Sequence, residues 1–241
     1  MQQTLRRISH WASDVEPVVL VSLLVIVAGI WGFISLADRV QEGRTQAFDE
    51  RVLTAVRRLE TPAQPIGPPW MAEVGRDLTA LGGVTVLLLA TVAVLGFLGL
   101  SRKLGLMTFV LLATLGGLGL SSLLKVLFVR PRPSVVPHLS HAYTSSFPSG
   151  HSLMSAVVYL TLGALLTTLV TRRRLKVYIL AVSLSLTGLV GISRVYMGVH
   201  YPTDVLAGWM TGLAWAVLCW TIARWLQRRG AVESPDPPCS T

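Results

Sequence analysis

LTALGGVTVLLLATVAVLGFLGL, residues 78–100, then SRK, residues 101–103, then LGLMTFVLLATLGGLGLSSLL, residues 104–124: two apolar runs parted by Ser101-Arg102-Lys103 decide the class of this chain. Each run is near the ~17–25 residues that a helix needs to cross a bilayer. Working outward, four more runs have the same character: Pro17–Leu36, Ser152–Val170, Val177–Ser193 and Thr203–Ile222. Backbone N–H and C=O groups inside hydrocarbon must be satisfied within the segment, so each run is expected to be a helix. The fold class is therefore all-α: a polytopic membrane protein with six transmembrane helices. Composition agrees. The 241 residues are 52% hydrophobic and 14% charged, against about 25% charged in soluble domains, which disfavours an ordinary water-soluble enzyme. The run from Pro17 is longer than a signal-peptide core and lacks an obvious small-x-small cleavage site, so it is expected to stay. Residues 1–230 form one six-helix membrane domain, and 231–241, with Pro235, Pro237 and Pro238, form a disordered tail.

Between the first two runs, Ala37–Asp77 reads differently. Phe48, Val52, Val56 and Leu59 recur at helical spacing among Asp49, Glu50, Arg51, Arg57 and Arg58, the pattern of an amphipathic helix on the membrane surface. A turn follows, from Thr61-Pro62 through Pro68-Pro69-Trp70, with Trp70 suited to the interface. Orientation follows from the basic residues in short loops. Arg6 and Arg7, Arg102 and Lys103, Arg172 to Arg174 with Lys176, and Arg224, Arg228 and Arg229 all fall on one side of a six-span chain, which is thereby cytoplasmic. Ala37–Asp77 then lies outside, despite its own six arginines. The net charge of +9 comes without a long basic tract, so nucleic acid is not an expected partner. Cys219 and Cys239 supply neither a disulfide framework nor zinc spacing.

Three polar clusters stand at run ends, all on the outer side: Lys125-x6-Arg132-Pro133, Pro148-Ser149-Gly150-His151, and Ser193-Arg194-x5-His200-x3-Asp204. Lys125, Arg132 and Arg194 offer three cations to an oxyanion, with arginine able to grip phosphate through two parallel N–H bonds. Pro131 and Pro133 break the helix, letting Arg132 turn over a pocket. Ser149-Gly150-His151 opens a helix, where free N–H groups favour an anion. Pro202 suits a first helical turn. His200 and Asp204, at i and i+4, share a face, so Asp204 can hold one ring nitrogen and leave the other as a nucleophile. His151, with no carboxylate close in sequence, suits a general acid.

Blander readings exist for several residues. His138 and His141 are expected to be satisfied interfacial histidines, and Arg130 to snorkel toward headgroups. Gly116, Gly117, Gly119 and Gly208-x-x-x-Gly212 are expected to serve ordinary helix packing. The His200/Asp204 pair could be half of a metal site, but neither cysteine lies on this face and three cations would repel a metal.

The three motifs in this order resemble the type 2 phosphatidic acid phosphatase superfamily, which spans bacterial lipid phosphate phosphatases, glucose-6-phosphatase and vanadium haloperoxidases. The resemblance implies that His200 attacks phosphorus to form a phosphohistidine, Asp204 orients it and His151 protonates the leaving group. It also implies that Lys125, Arg132, Ser149, Gly150 and Arg194 bind the phosphoryl oxygens, with no metal and no cofactor. The function implied is a metal-independent membrane phosphatase for lipid phosphates or diphosphates of the undecaprenyl diphosphate, phosphatidylglycerophosphate or phosphatidic acid type. Its setting would be a bacterial cytoplasmic membrane, with the site on the outer face and membrane lipids as partners. Rivals are a lipid phosphotransferase with the same site, a vanadium haloperoxidase, which six spans argue against, and a transporter, which the scarcity of charge within the spans argues against.

Overall fold

The computed structural model describes residues 17–58, 64–139 and 144–228; the tail expected at 231–241, His141, Leu59 and the Thr61-Pro62 turn lie outside these. The described residues form helices α1 (Pro17–Gln41), α2 (Gln46–Ala55), α3 (Pro69–Leu81), α4 (Val84–Leu100), α5 (Leu104–Leu127), α6 (Gly150–Thr168), α7 (Arg173–Tyr196) and α8 (Pro202–Arg228). Five of these are long and apolar enough to cross a membrane, and α3 with α4, taken together as one bent span, makes six.

The bend falls inside the run that sequence alone reads as one helix from Leu78. Gly82-Gly83 interrupts it, and α3 and α4 diverge by 44°. Two adjacent glycines weaken a helix interior by roughly 1 kcal/mol each relative to alanine. The side of Gly82 where a Cβ would project is taken by Val190 Cγ1 and the His151 ring. The break therefore brings the second span against the start of α6. α3 then packs mainly on α7, and α4 on α5.

The core is built around α6. Half of this helix is buried, against 6% of α1, and it packs chiefly on α7 and α8. Leu153 and Val157 of α6 meet Leu124 of α5, with Trp215 of α8 closing the cluster. The seam with α8 is close: a Cβ on Gly208 would come 2.7 Å from Ser149 O, and one on Gly212 would come 2.6 Å from both Leu153 O and Ala156 Cβ. So Gly208-x-x-x-Gly212, expected to pack generically, sets the spacing of α8 against the start of α6. α1 packs on α8 and exposes Leu20, Val21, Leu24, Val27 and Trp31 outward, as an outer helix facing lipid should.

α2 does form in the amphipathic stretch, and Trp70 is exposed as expected. Its buried face, however, is Asp49 and Leu53, both fully buried, while Phe48 is exposed. Leu53 packs with Val136 and Tyr201. The segment thus turns a carboxylate inward, onto the start of α8.

Candidate active site

The C-terminal ends of α5 and α7 and the N-terminal ends of α6 and α8 converge, which brings together the residues the sequence singles out. Lys125, in the last turn of α5, donates from Nζ to Thr144 Oγ1 at 2.8 Å and to Ser145 O at 3.3 Å. Its chain lies over Gly150, where a Cβ would come 3.2 Å from Lys125 Cε. Glycine gives the lysine room to lie flat across the start of α6, where any Cβ would crowd it. After α5 the chain leaves regular secondary structure through Pro131 and Pro133, and Arg132 folds back. Its Nε donates to Thr144 O at 2.9 Å, its Nη1 to Val199 O at 2.7 Å, and the same Nη1 stands 3.3 Å from His200 Nε2. Burial holds Arg132 below the usual arginine range, with Asp204 partly offsetting it.

Ser149 is the N-cap of α6. Its Oγ accepts from Ser152 N at 3.4 Å and from Ser152 Oγ at 2.9 Å, and its N–H donates to Asp204 O at 2.9 Å. The Ser149 hydroxyl proton is left to give. His151 stands among Arg194, His200, Lys125 and Arg132. Arg194, in the last turn of α7, is 2% exposed, and its Nε is buried without a hydrogen-bond partner. A buried guanidinium nitrogen left unpaired costs free energy, and an oxyanion between these cations would satisfy it.

His200 is buried just ahead of α8. Nδ1 faces Asp204 Oδ2 at 3.4 Å, which favours the proton on Nδ1 and leaves the Nε2 lone pair turned into the pocket. Burial is the main cause that lowers His200 to about 4; Asp204 opposes the shift, while Arg194 and Arg132 add to it. The imidazole is therefore neutral at neutral pH, as a nucleophile must be. Asp204 has a second duty. With Pro202 at the first position of α8, its Oδ2 reaches back to accept Tyr201 N–H at 2.9 Å, as the third residue of a helix does in a capping box. Ser146 Oγ also donates to Oδ2.

Two residues missed in the sequence complete the arrangement. Arg130 does not snorkel. Its side chain is 10% exposed and bridges two fully buried carboxylates, with Nη1 2.7 Å from Asp204 Oδ1 and Nη2 2.8 Å from Asp49 Oδ2, and its guanidinium lies over the Tyr201 ring at 4.1 Å. Burial alone would depress Arg130, but Asp204 and Asp49 outweigh it and hold the cation firmly charged. Asp49 in turn accepts Thr203 N–H at 3.1 Å and Thr203 Oγ1–H at 2.6 Å. The tandem Arg-Pro-Arg-Pro at 130–133 is the one sequence hint, since both arginines sit on the same proline-restricted segment. His138 donates from Nε2 to Pro133 O at 2.6 Å and serves the loop, as expected of a satisfied histidine.

The likeness to known proteins covers the stretch from Lys125 to Asp204. A family model described as the PAP2 superfamily matches residues 105–228. Phosphatidylglycerophosphatase B of Bacillus subtilis is 36% identical over 184 residues, covering 75% of this chain and 86% of that protein. The undecaprenyl-diphosphatase of Sulfolobus acidocaldarius is 40% identical over 67 residues, 28% of each chain. Among solved structures, the transmembrane PAP2-type phosphatidylglycerolphosphate phosphatase from Bacillus subtilis superposes with a TM-score of 0.77 at 31% identity, covering 84% of this chain and 98% of that one.

Proposed function

The chain belongs to the PAP2 superfamily, and from that premise we propose that it hydrolyses lipid phosphates or diphosphates through a phosphohistidine on His200. The site would open at the outer face of a bacterial cytoplasmic membrane. The observation that carries this reading is the buried neutral imidazole of His200, with Nδ1 on Asp204 and Nε2 beside Arg132, in a pocket that also holds Lys125, His151 and the unpartnered Nε of Arg194.

The steps follow from these positions. Phosphoryl oxygens sit against Lys125, Arg132, Arg194 and the N–H groups at the start of α6, so charge in the transition state meets fixed donors. The Nε2 lone pair forms the N–P bond as the P–O bond to the leaving group breaks. The departing oxygen keeps that electron pair and takes a proton from His151. Water then gives a proton to His151 as its oxygen bonds phosphorus, the P–N pair returns to Nε2, and phosphate leaves. A lipid tail stays in the bilayer throughout. Phosphatidylglycerophosphate and undecaprenyl diphosphate are the first substrates to try, on the names of the relatives.

The experiment is a panel of lipid phosphates and diphosphates given to purified protein, with phosphate release measured beside lipid product and acid-labile, base-stable protein label trapped at short times. Release should survive EDTA and be inhibited by vanadate, which adopts the trigonal-bipyramidal form of phosphoryl transfer. Activity abolished by EDTA and restored by a divalent ion would overturn the metal-free route. In a Cys219→Ala, Cys239→Ala background, Arg44→Cys should label from outside and Arg173→Cys from inside; the reverse would place the site in the cytoplasm.

A further inference from the structure

Asp49 and Arg130 take no part in the steps above, yet both are withdrawn from solvent directly behind them. Asp49 alone could be read as a cap: it accepts the N–H of the second residue of α8, a group the helix itself leaves unpaired. A cap does not require a guanidinium buried between that carboxylate and Asp204. Taking a cation and two anions out of water is costly, and such groups persist where geometry and hydrogen bonds compensate. Here four acceptors supply the compensation. Arg130 donates to Asp49, Asp204, Thr203 Oγ1 and Gln46 Oε1.

The charge arithmetic explains what three members do that two cannot. Arg130 with Asp204 alone would be neutral, and Asp204 would then have little to offer an imidazole that becomes cationic as Nε2 bonds phosphorus. With Asp49 the cluster carries one net negative charge. Arg130 also occupies Oδ1 of Asp204, which leaves Oδ2 for His200, Tyr201 N–H and Ser146. We infer that Asp49 and Arg130 are positioning residues for the nucleophile: Arg130 fixes the rotation of the Asp204 carboxylate, and Asp49 keeps the charge behind His200 negative. The inference rests on the phosphohistidine reading.

The charged and titratable groups around His200 are Asp204 on α8, Arg132 after α5, Arg194 on α7, His151 on α6 and Lys125 on α5, with Arg130 behind Asp204. Asp49→Asn removes a negative charge and keeps the side-chain shape. It makes His200 harder to protonate, so the acid limb of kcat/KM moves to lower pH. The test compares the native protein with Asp49→Asn, Arg130→Gln and Arg130→Lys on one aryl phosphate, whose own ionisation is common to all, with label trapping and thermal unfolding in parallel. Asp49→Asn should lower kcat by about 10–10²-fold, leave KM within about twofold and shift the acid limb down by roughly 0.5–1 pH unit. Arg130→Lys should recover less than about tenfold of what Arg130→Gln loses, since it restores charge without the fork that holds Asp204 Oδ1 and Asp49 Oδ2 together. A lowered kcat with an unmoved acid limb in Asp49→Asn would reduce Asp49 to a helix cap, and Arg130→Lys as active as the native protein would show that the fork of Arg130 is not needed to position Asp204. Should Arg130→Gln fail to fold, Asp49→Asn decides alone. If the native protein traps no acid-labile label, both readings fall; label in the native protein without the limb shift overturns the positioning role only.

Discussion

α7 starts on arginine and carries another in its last turn, and its two ends are opposites. Arg172, Arg173 and Arg174 at its start are exposed, whereas Arg194 in its last turn is 2% exposed with an unpartnered nitrogen. The contrast extends across the bundle. At one end, Arg102 joins the exposed set; at the other, Arg130 and Arg194 are withdrawn among carboxylates, histidines and helix ends. Exposed cations at a membrane boundary are solvated and set orientation. Buried ones cost free energy to place and repay it only when an anion meets them. On the proposed reading, the same residue type serves insertion at one end and chemistry at the other.

The sharpest way to break this contrast is His200→Ala. It removes the attacking nitrogen, so lipid phosphate hydrolysis should fall by at least about 10⁴-fold, and trapped label should vanish; label persisting in that variant would assign the nucleophile elsewhere. His151→Ala should cost about 10²–10⁴-fold with a lipid monophosphate, whose alkoxide needs a proton, and far less with a nitrophenyl phosphate, whose leaving group does not. Equal losses on the two substrates would mean His151 is not the acid. Arg194→Gln should lower kcat by about 10²–10³-fold through the lost transition-state donor, while Arg173→Gln at the other end of the same helix should leave rate unchanged and stability within about 0.5 kcal/mol. A comparable rate loss from Arg173→Gln would erase the distinction between the ends.

The last test reads the buried end through pH. His200 sits at about 4 in the folded chain, below the ordinary value of about 6.5. Between those two values the unfolded chain binds the extra proton, so stability falls as pH falls, by about 1.4 kcal/mol per pH unit. His200→Gln should flatten that slope in detergent unfolding measurements. An unchanged slope would assign the proton to another group.

Hydropathy and loop charge made the spans legible, and motif spacing made His151, His200, Asp204 and their cations legible, because those residues lie within one or two helical turns of a span end. Arg130 was misread for the same reason: a cation at a span end looks alike whether it reaches headgroups or turns inward. Only the path of the chain through Pro131 and Pro133 distinguishes the two, and that path depends on tertiary contacts such as Ser146 N–H to Arg130 O. Asp49 left no sequence mark, because its partner Thr203 is 154 residues away and its neighbours Glu50 and Arg51 are equally polar. The bend at Gly82-Gly83 was present in the sequence as two glycines, but what makes it a break is Val190 and His151 filling the space beside it. Hydropathy also runs opposite to importance: α1 is the most apolar span and the least buried, while α6 is the least apolar of the five long helices and the most buried.

The packing of α1 against α8 bears on how the protein is made. Chains grow from the N-terminus, so α1 and the Asp49 segment enter the membrane long before α8 exists. Until α8 arrives, α1 has no partner for that flank, and Asp49 has no Thr203 or Tyr201 to sit against. His200 and Asp204 are among the last site residues synthesised, and their arrival both closes the bundle and completes the nucleophile. A ribosome-bound chain that stops short of His200 would already carry Lys125, Arg132, His151 and Arg194, yet on the phosphohistidine reading would have no nitrogen to attack phosphorus. On that reading, competence for chemistry is tied to completion of the chain, and one that ends early would be inert toward lipid phosphates.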